Sequence, residues 1–350
     1  MEKYRTLRTG LWATIGAGLL AGYGLSAAVN QAIATPQAKS ASKRKRITTK
    51  KPRAKSAATP KPFNGNVRVS PIPLTEGSNV IYTVNKDGEL EWHKHIMKVG
   101  MVTVPGTKVR KRGIVHTMTP PRQIGIGWAS GMRQVHPGGQ KTIYGITDAG
   151  ALRWFRHDGY QTGIFNWAQD TVVGKNWQSF RKVIGMDSGV LYGWSPNGEL
   201  RWYKNINYTN GQGRDMDWAA HVVGKHWNFQ DIFGGGNGVL YAVTEDGKLM
   251  WYRHRNYLNA VRVLEDVPQT WQLSWDGPKQ VGTGWDQFIN IFSPGNGEIY
   301  AIKPTGELMY YQHIGWRNGA TIWGEHAVVA KGWADYATTF ARIKTDDPMP

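Results

Sequence analysis

Gly189-Val190-Leu191-Tyr192-Gly193-Trp194-Ser195-Pro196-Asn197-Gly198-Glu199-Leu200-Arg201-Trp202-Tyr203 is the stretch on which the fold turns. It returns almost unchanged from Gly238 to Tyr252, and looser copies pair Tyr82 with Trp92, Tyr144 with Trp154, and Tyr300 with Tyr310. Each copy reads as strand, tight turn, strand. β-Branched and aromatic residues fill the first half, and Gly88, Gly150, Gly198, Gly247 or Gly306 stands at the turn. The anchor tyrosines are 62, 48, 49 and 59 residues apart, a period of propeller-blade size. Five copies predict five units.

A second signature interleaves with the first. Gly125-Ile126-Gly127-Trp128, Gly174-Lys175-Asn176-Trp177, Gly224-Lys225-His226-Trp227, Gly282-Thr283-Gly284-Trp285 and Ala330-Lys331-Gly332-Trp333 are its five copies, each followed by a short apolar run. Those runs, with the stretch before each Gly-x-x-Trp, bring the count to four strands per repeat. The array begins with the Tyr82 strand and ends with a Tyr336–Phe340 strand that elsewhere precedes it. The C-terminal strand is therefore expected to complete the blade that Tyr82 begins, which protects sheet edges; Val67 to Ile72 is a rival for that slot.

A ring of this size counts as one domain despite its length. The 17 tryptophans lie mostly at repeating positions, so packing is their first explanation. The absence of cysteine excludes disulfides and thiolate chemistry. The net charge of +18 is uneven: residues 1–65 hold 13 Lys and Arg against one Glu, leaving the globular part only mildly basic.

Lys3, Arg5 and Arg8 precede an uncharged stretch from Thr9 to Ala38, and Ala32-Ile33-Ala34 offers a signal-peptidase pattern. Residues 1–34 are read as a signal peptide, or as a membrane anchor if residues 9–29 remain uncleaved. Either way the rest is expected outside the cytoplasm: secreted, cell-surface or periplasmic. Residues 35–65 form a basic linker with no means of building a core, and the expectation is disorder. Its ten Lys and Arg between Lys39 and Lys61 suit anionic cell-surface polymers and give no specific nucleic-acid reading. Residues 66–350 are the repeat domain.

The order Gly-Val-Leu-Tyr, glycine turn, Leu-x-Trp-Tyr, long loop, Val-Gly-x-x-Trp-x-x-Phe resembles the tachylectin-2 family of lectins over about residues 79–343. The resemblance implies an all-β, five-bladed β-propeller of four-stranded antiparallel blades. It also implies a sugar site between neighbouring blades, selective for N-acetylhexosamines such as N-acetylglucosamine and N-acetylgalactosamine, with no enzyme activity, metal or cofactor.

The residues support such sites at one point. A further tryptophan, Trp167, Trp218, Trp275 or Trp323, lies nine or ten residues before each Gly-x-x-Trp tryptophan, at the end of a long loop. Aromatic rings beside amides and carboxylates suit the C–H faces and hydroxyls of sugars. The loops carry Asp158, Gly159 and Asn166, then Asp215 and Asp217, then Asn318 and Gly319. Trp177, Trp227, Trp285 and Trp333 read first as packing residues and second as parts of the same sites. Trp92, Trp154, Trp202 and Trp251 are expected to be structural, spaced along one strand face. In the first repeat Met118 takes the loop-tryptophan position, so four working sites are expected rather than five.

His93 and His95 share a strand face, yet with no third ligand nearby they are read as surface residues. Asp215 and Asp217 lack the closing glutamate of an EF-type calcium loop. No nucleophile elbow, zincin or phosphate-loop motif is present. Two rival readings stay open: a propeller hydrolase or lyase with carboxylates paired across blades, and a cell-surface protein-interaction scaffold.

Overall fold

The Gly-x-x-Trp motif shows why the repeats fold alike. In all five, the tryptophan backbone N–H donates to the carbonyl of the turn glycine earlier in its own blade: Trp128 to Gly88, Trp177 to Gly150, Trp227 to Gly198, Trp285 to Gly247 and Trp333 to Gly306, at 2.8–3.0 Å. In the four motifs that begin with glycine, the indole then folds back over that residue. A Cβ at Gly125, Gly174, Gly224 or Gly282 would fall 2.1–2.5 Å from the indole Nε1 of its own motif. Only glycine lets the ring lie that close.

The computed structural model describes residues 76–104, 106–168, 170–211, 221–259 and 274–344. The expected export segment, the basic linker, the Val67–Ile72 rival, and Asp215, Asp217 and Trp218 lie outside the described residues.

Within them the chain is all-β apart from short 3-10 turns, and its strands form five antiparallel sheets. Blade 2 runs β5 (Met132–Pro137), β6 (Thr142–Thr147), β7 (Leu152–Arg156) and β8 (Thr171–Gly174). Blade 3 comprises β9 (Lys182–Gly185), β10 (Val190–Trp194), β11 (Leu200–Lys204) and β12 (His221–Gly224). Blade 4 holds β13 (Asp231–Gly234), β14 (Val239–Val243), β15 (Leu249–His254) and β16 (Trp275–Gly282). In blade 5 come β17 (Asn290–Gly295), β18 (Glu298–Ile302), β19 (Leu308–His313) and β20 (Trp323–Ala330). Blade 1 combines β1 (Gly77–Val84), β2 (Leu90–Thr103), β3 (Arg110–Met118) and β4 (Arg122–Gly125) with the C-terminal β21 (Thr338–Ala341).

The register is shared: Tyr82 pairs with Trp92, Tyr144 with Trp154, Tyr192 with Trp202, Tyr241 with Trp251, and Tyr300 with Tyr310. Second strands such as β10, β14 and β18 are buried at every residue, because a blade packs on each of their faces. Third strands bury alternate residues, as Leu200 with Trp202 and Leu249 with Trp251. The innermost strands touch in sequence around the axis, β21 to β5, β9, β13, β17 and back to β21. The ring therefore closes at five.

Closure follows the out-of-phase ends. β21 pairs with β1, Phe340 opposite Tyr82, and the two rings stack at 5.3 Å. Blade 1 departs from the others in one respect. Its outer position is shared by two strands: β4 pairs with the start of β2, and β3 with the rest. The other blades turn into a loop after their third strand, whereas β2 runs straight on past His95 to Thr103.

Candidate carbohydrate site at the blade seams

Each seam is assembled the same way from residues far apart in the chain. At the end of the third strand stands His157, His254 or His313, or Asn205 in blade 3. It reaches back to the second-strand tyrosine of the preceding blade. His157 Nδ1 lies 2.9 Å from the Tyr82 hydroxyl, His254 Nδ1 2.8 Å from Tyr192, and His313 Nδ1 2.8 Å from Tyr241. Asn205 Nδ2 donates to the Tyr144 hydroxyl at 3.0 Å. His157 Nε2 meets the Ile164 carbonyl at 2.9 Å, and His313 Nε2 the Ala320 carbonyl at 2.8 Å. A carbonyl only accepts, so Nε2 carries the proton, Nδ1 accepts, and the tyrosine hydroxyl donates. Burial favours this neutral form, taking His254 and His313 down to about 4.

The loop after that residue leans on the preceding blade. The indole N–H of Trp92 donates to the Tyr160 carbonyl, Trp154 to Tyr208, Trp202 to Tyr257 and Trp251 to Trp316, at 2.6–2.8 Å. The four tryptophans expected to be structural are thus buried rings whose polar edges tie down the neighbouring loop. Gly163, Gly211 and Gly319, all at positive φ, lie flush on these rings, where a Cβ would come within 2.3–2.5 Å.

The loop returns at the second tryptophan set. Trp167 stacks on His157 at 4.6 Å, Trp275 on His254 at 4.7 Å and Trp323 on His313 at 4.6 Å. Their indole N–H groups donate across the seam to the carbonyls of Ile124, Val223 and Val281 at 2.6–2.7 Å. The Gly-x-x-Trp tryptophans of the preceding blade meet them there: Trp128 and Trp167 at 5.7 Å, Trp227 and Trp275 at 5.0 Å, Trp285 and Trp323 at 5.8 Å. A third-strand ring, Phe155, Tyr252 or Tyr311, completes the cluster. At three seams the two kinds of tryptophan singled out in the sequence therefore meet.

Between blades 2 and 3, where Trp218 lies outside the described residues, there is an open cleft of about 410 Å³ lined by the largely buried Trp177 with Phe180 and Tyr203. Trp177 and Tyr203 stand 4.6 Å apart on its wall, with Phe180 beside them. Asn176, Ser195, Glu199 and Arg201 supply donors and acceptors. Arg201 donates to Glu199 through both Nε and Nη2, at 3.0 and 2.9 Å, which fixes the carboxylate. A cleft of this size, lined by three aromatic and six polar or charged residues, suits one pyranose ring.

A family model described as Tachylectin matches residues 98–262. That match and the five-bladed fold support a tachylectin-2-like propeller. No curated protein matches the chain. Among solved structures it is similar to "YCF48 bound to D1 peptide", at 15% identity over 72% of this chain and 83% of that one, with a TM-score of 0.31. It is also similar to Prp20p from Saccharomyces cerevisiae, at 10% identity, 73% and 67% coverage and a TM-score of 0.30. YCF48 from Cyanidioschyzon merolae shows 13% identity, 74% and 88% coverage and a TM-score of 0.30. At such scores these likenesses carry no argument.

Against this tachylectin-2-like frame the remaining candidates fall as follows. Asp158 is half-buried at the loop start, held by Lys141 and Arg156 at 3.1 and 3.2 Å. Asn166 is exposed, and its carbonyl accepts from the Asp158 N–H at 2.8 Å. Trp333 packs on His93 and Tyr336 instead of a loop tryptophan. At that last seam Met118 pairs with His95 as Trp275 does with His254, so the expected equivalence holds in register. The ring that stacks on His95, however, is His116, at 5.1 Å.

The surface reading of His93 and His95 is corrected: both are buried. His93 Nε2 lies 2.9 Å from the Thr83 hydroxyl, and His95 Nδ1 2.5 Å from that of Tyr300. Their shared strand face is the one that packs on blade 5. The strand-end histidines and the loop residues Tyr160, Tyr208, Tyr257 and Trp316 were missed. A signal existed in the recurring pattern of His or Asn, then an aromatic residue three positions on, then in three copies glycine three further.

Along the propeller axis runs a cavity of about 540 Å³. Asp231 is its one carboxylate among the described lining residues, ion-paired with Lys182 at 2.6 Å. Glycoside hydrolysis ordinarily uses two carboxyl groups flanking the scissile bond.

Proposed function

We propose that this protein is an exported lectin that binds N-acetylhexosamine-bearing glycans, of the N-acetylglucosamine or N-acetylgalactosamine type, multivalently through its blade seams. The observation that carries the reading is the cleft between blades 2 and 3. There an aromatic wall, Trp177 with Tyr203, faces the fixed polar pair Glu199 and Arg201. A shallow site of this kind is weak alone, but several on one rigid ring facing a repetitive glycan gain avidity without new contacts. The match of residues 98–262 to a family model described as Tachylectin points the same way. Export is supported by the apolar stretch after Lys3, Arg5 and Arg8, and the basic residues from Lys39 to Lys61 suit an anionic surface outside the cell.

The test is retention of the full chain, recovered from the extracytoplasmic fraction, on immobilised N-acetylhexosamine, with elution by free sugar. Glu199→Ala with Arg201→Ala is expected to weaken avidity about tenfold by removing one of several sites, with unchanged thermal stability. Failure to bind any glycan on an array would end the reading. Retention abolished by salt alone would assign it to the basic segment.

A further inference from the structure

Among the described residues, blade 1 carries the one element that the repeat does not explain. Beyond His95 the strands β2 and β3 continue as a two-stranded ribbon, closed by Val104, whose N–H donates to the Val109 carbonyl at 2.8 Å. From Met97 to Met118 the ribbon holds five cations, Lys98, Lys108, Arg110, Lys111 and Arg112, and no Asp or Glu. Its base is fastened: Met97 and Ile114 are buried in a cluster with Val329 and Ala330 of blade 5. Two acids face that base. Glu76 accepts from the Val99 N–H at 2.8 Å, and Glu325 lies 3.2 Å from His116.

Towards the tip, none of the described residues outside blade 1 is recorded against the ribbon, and Val102 and Val104 are half-buried. Cross-strand pairing puts Lys98 with Val115, Gly100 with Gly113, and Val102 with Lys111 on one face, and the alternation carries Val104 and Val109 to the same side. The glycines let the valines lie flat: a Cβ on Gly100 would fall 2.8 Å from Val115 Cγ2, and one on Gly113 2.5 Å from Val102 Cγ2. Val109 is 61% exposed and Val115 40%, and on the opposite face Met101 is 51% exposed beside Arg110 and Arg112. Aliphatic side chains ringed by lysine and arginine suit the boundary between anionic headgroups and acyl chains. A nucleic acid fits less well, since the ribbon's one aromatic ring, His116, is already stacked on His95 and the ribbon has no Phe, Tyr or Trp on which a base would stack.

We propose that this ribbon is a membrane-docking arm, which inserts its valine face among the headgroups of an anionic lipid bilayer. The proposal stands on blade 1 alone and does not depend on sugar binding at the seams. Each cation brought to an anionic surface strengthens binding about fivefold, and the apolar tip makes the contact persist when salt screens the charges.

The chain has no cysteine, so a single one reports its own position. In the full-length protein, Val109→Cys is labelled with the environment-sensitive fluorophore NBD and mixed with phosphatidylcholine vesicles, with or without 30% phosphatidylglycerol. The expected result is a blue shift, with quenching by spin-labelled lipid, on the anionic vesicles only. The same label at Ile322→Cys, on a blade 5 loop, is expected to show neither. Arg110→Glu with Lys111→Glu and Arg112→Glu is expected to weaken the response at least tenfold. An unshifted Val109→Cys label on a chain that still sediments with vesicles would assign membrane contact to the basic N-terminal segment and overturn the proposal. So would a response unchanged by the charge reversal, or binding to soluble heparin with no insertion into lipid.

Discussion

At the scale of single residues, the glycines and tryptophans of the repeat are two halves of one device. Gly319 has φ +69°, and a Cβ there would lie 2.4 Å from Trp251 Cε3. Gly332 has φ +80° with nothing within 4 Å of an added Cβ. Gly332→Ala is therefore expected to cost about 1–2 kcal/mol, the left-handed backbone alone. Gly319→Ala adds overpacking, for a total of roughly 2–4 kcal/mol. Chemical denaturation of the two variants measures the difference, and equal losses would show that the loop does not rest on the ring. The Trp251 position was legible from its Leu-x-Trp spacing. Its indole partner, the Trp316 carbonyl 65 positions away, was not, because a hydrogen bond to backbone leaves no trace in residue type.

Among the elements, the closing strand is the one whose role followed most directly from counting. Five copies of each strand type required the C-terminal strand to join Tyr82, and β21 pairs with β1. Phe340 is buried there against Tyr82. Phe340→Ala is expected to destabilise the ring by about 3–5 kcal/mol, as large cavities do. A loss below about 1 kcal/mol in equilibrium unfolding would mean that the ring does not depend on its seam, a value ordinary for an exposed residue. The β2–β3 ribbon shows the opposite case. Its alternation lies openly in the sequence, yet a reading aligned to the other repeats treats Met118 as a degenerate tryptophan position. The register agrees, but the chain before it has become a hairpin.

For the whole molecule, four of the five seams depend on a neutral histidine, and the seam between blades 2 and 3 uses Asn205 instead. Burial takes His93, His254 and His313 down to about 4 and His95 to about 3, from an ordinary value near 6.5. Between those values the unfolded chain binds protons that the folded chain refuses. Stability is therefore complete above pH 6.5 and falls as the pH drops towards 4. Each histidine contributes on the order of 3 kcal/mol to that fall. Calorimetry from pH 8 to pH 4 is expected to show a level melting temperature down to about 7 and a steep decline below 6.5. A melting temperature constant to pH 4.5 would mean that the seam histidines accept protons in place.

By itself the sequence determined the number of blades, their strand order and the way the ring closes, because these follow from a period and a count along the chain. It also marked both tryptophan sets, since a side chain needed once per blade recurs once per blade. Only the tertiary structure decided what those rings do. Whether an indole faces solvent or wedges on a histidine depends on the neighbouring blade, which is packed beside it in space but dozens of residues distant in the chain. For the same reason the seam histidines, the cleft beside Trp177 and the free face of the ribbon appeared only once the blades stood side by side.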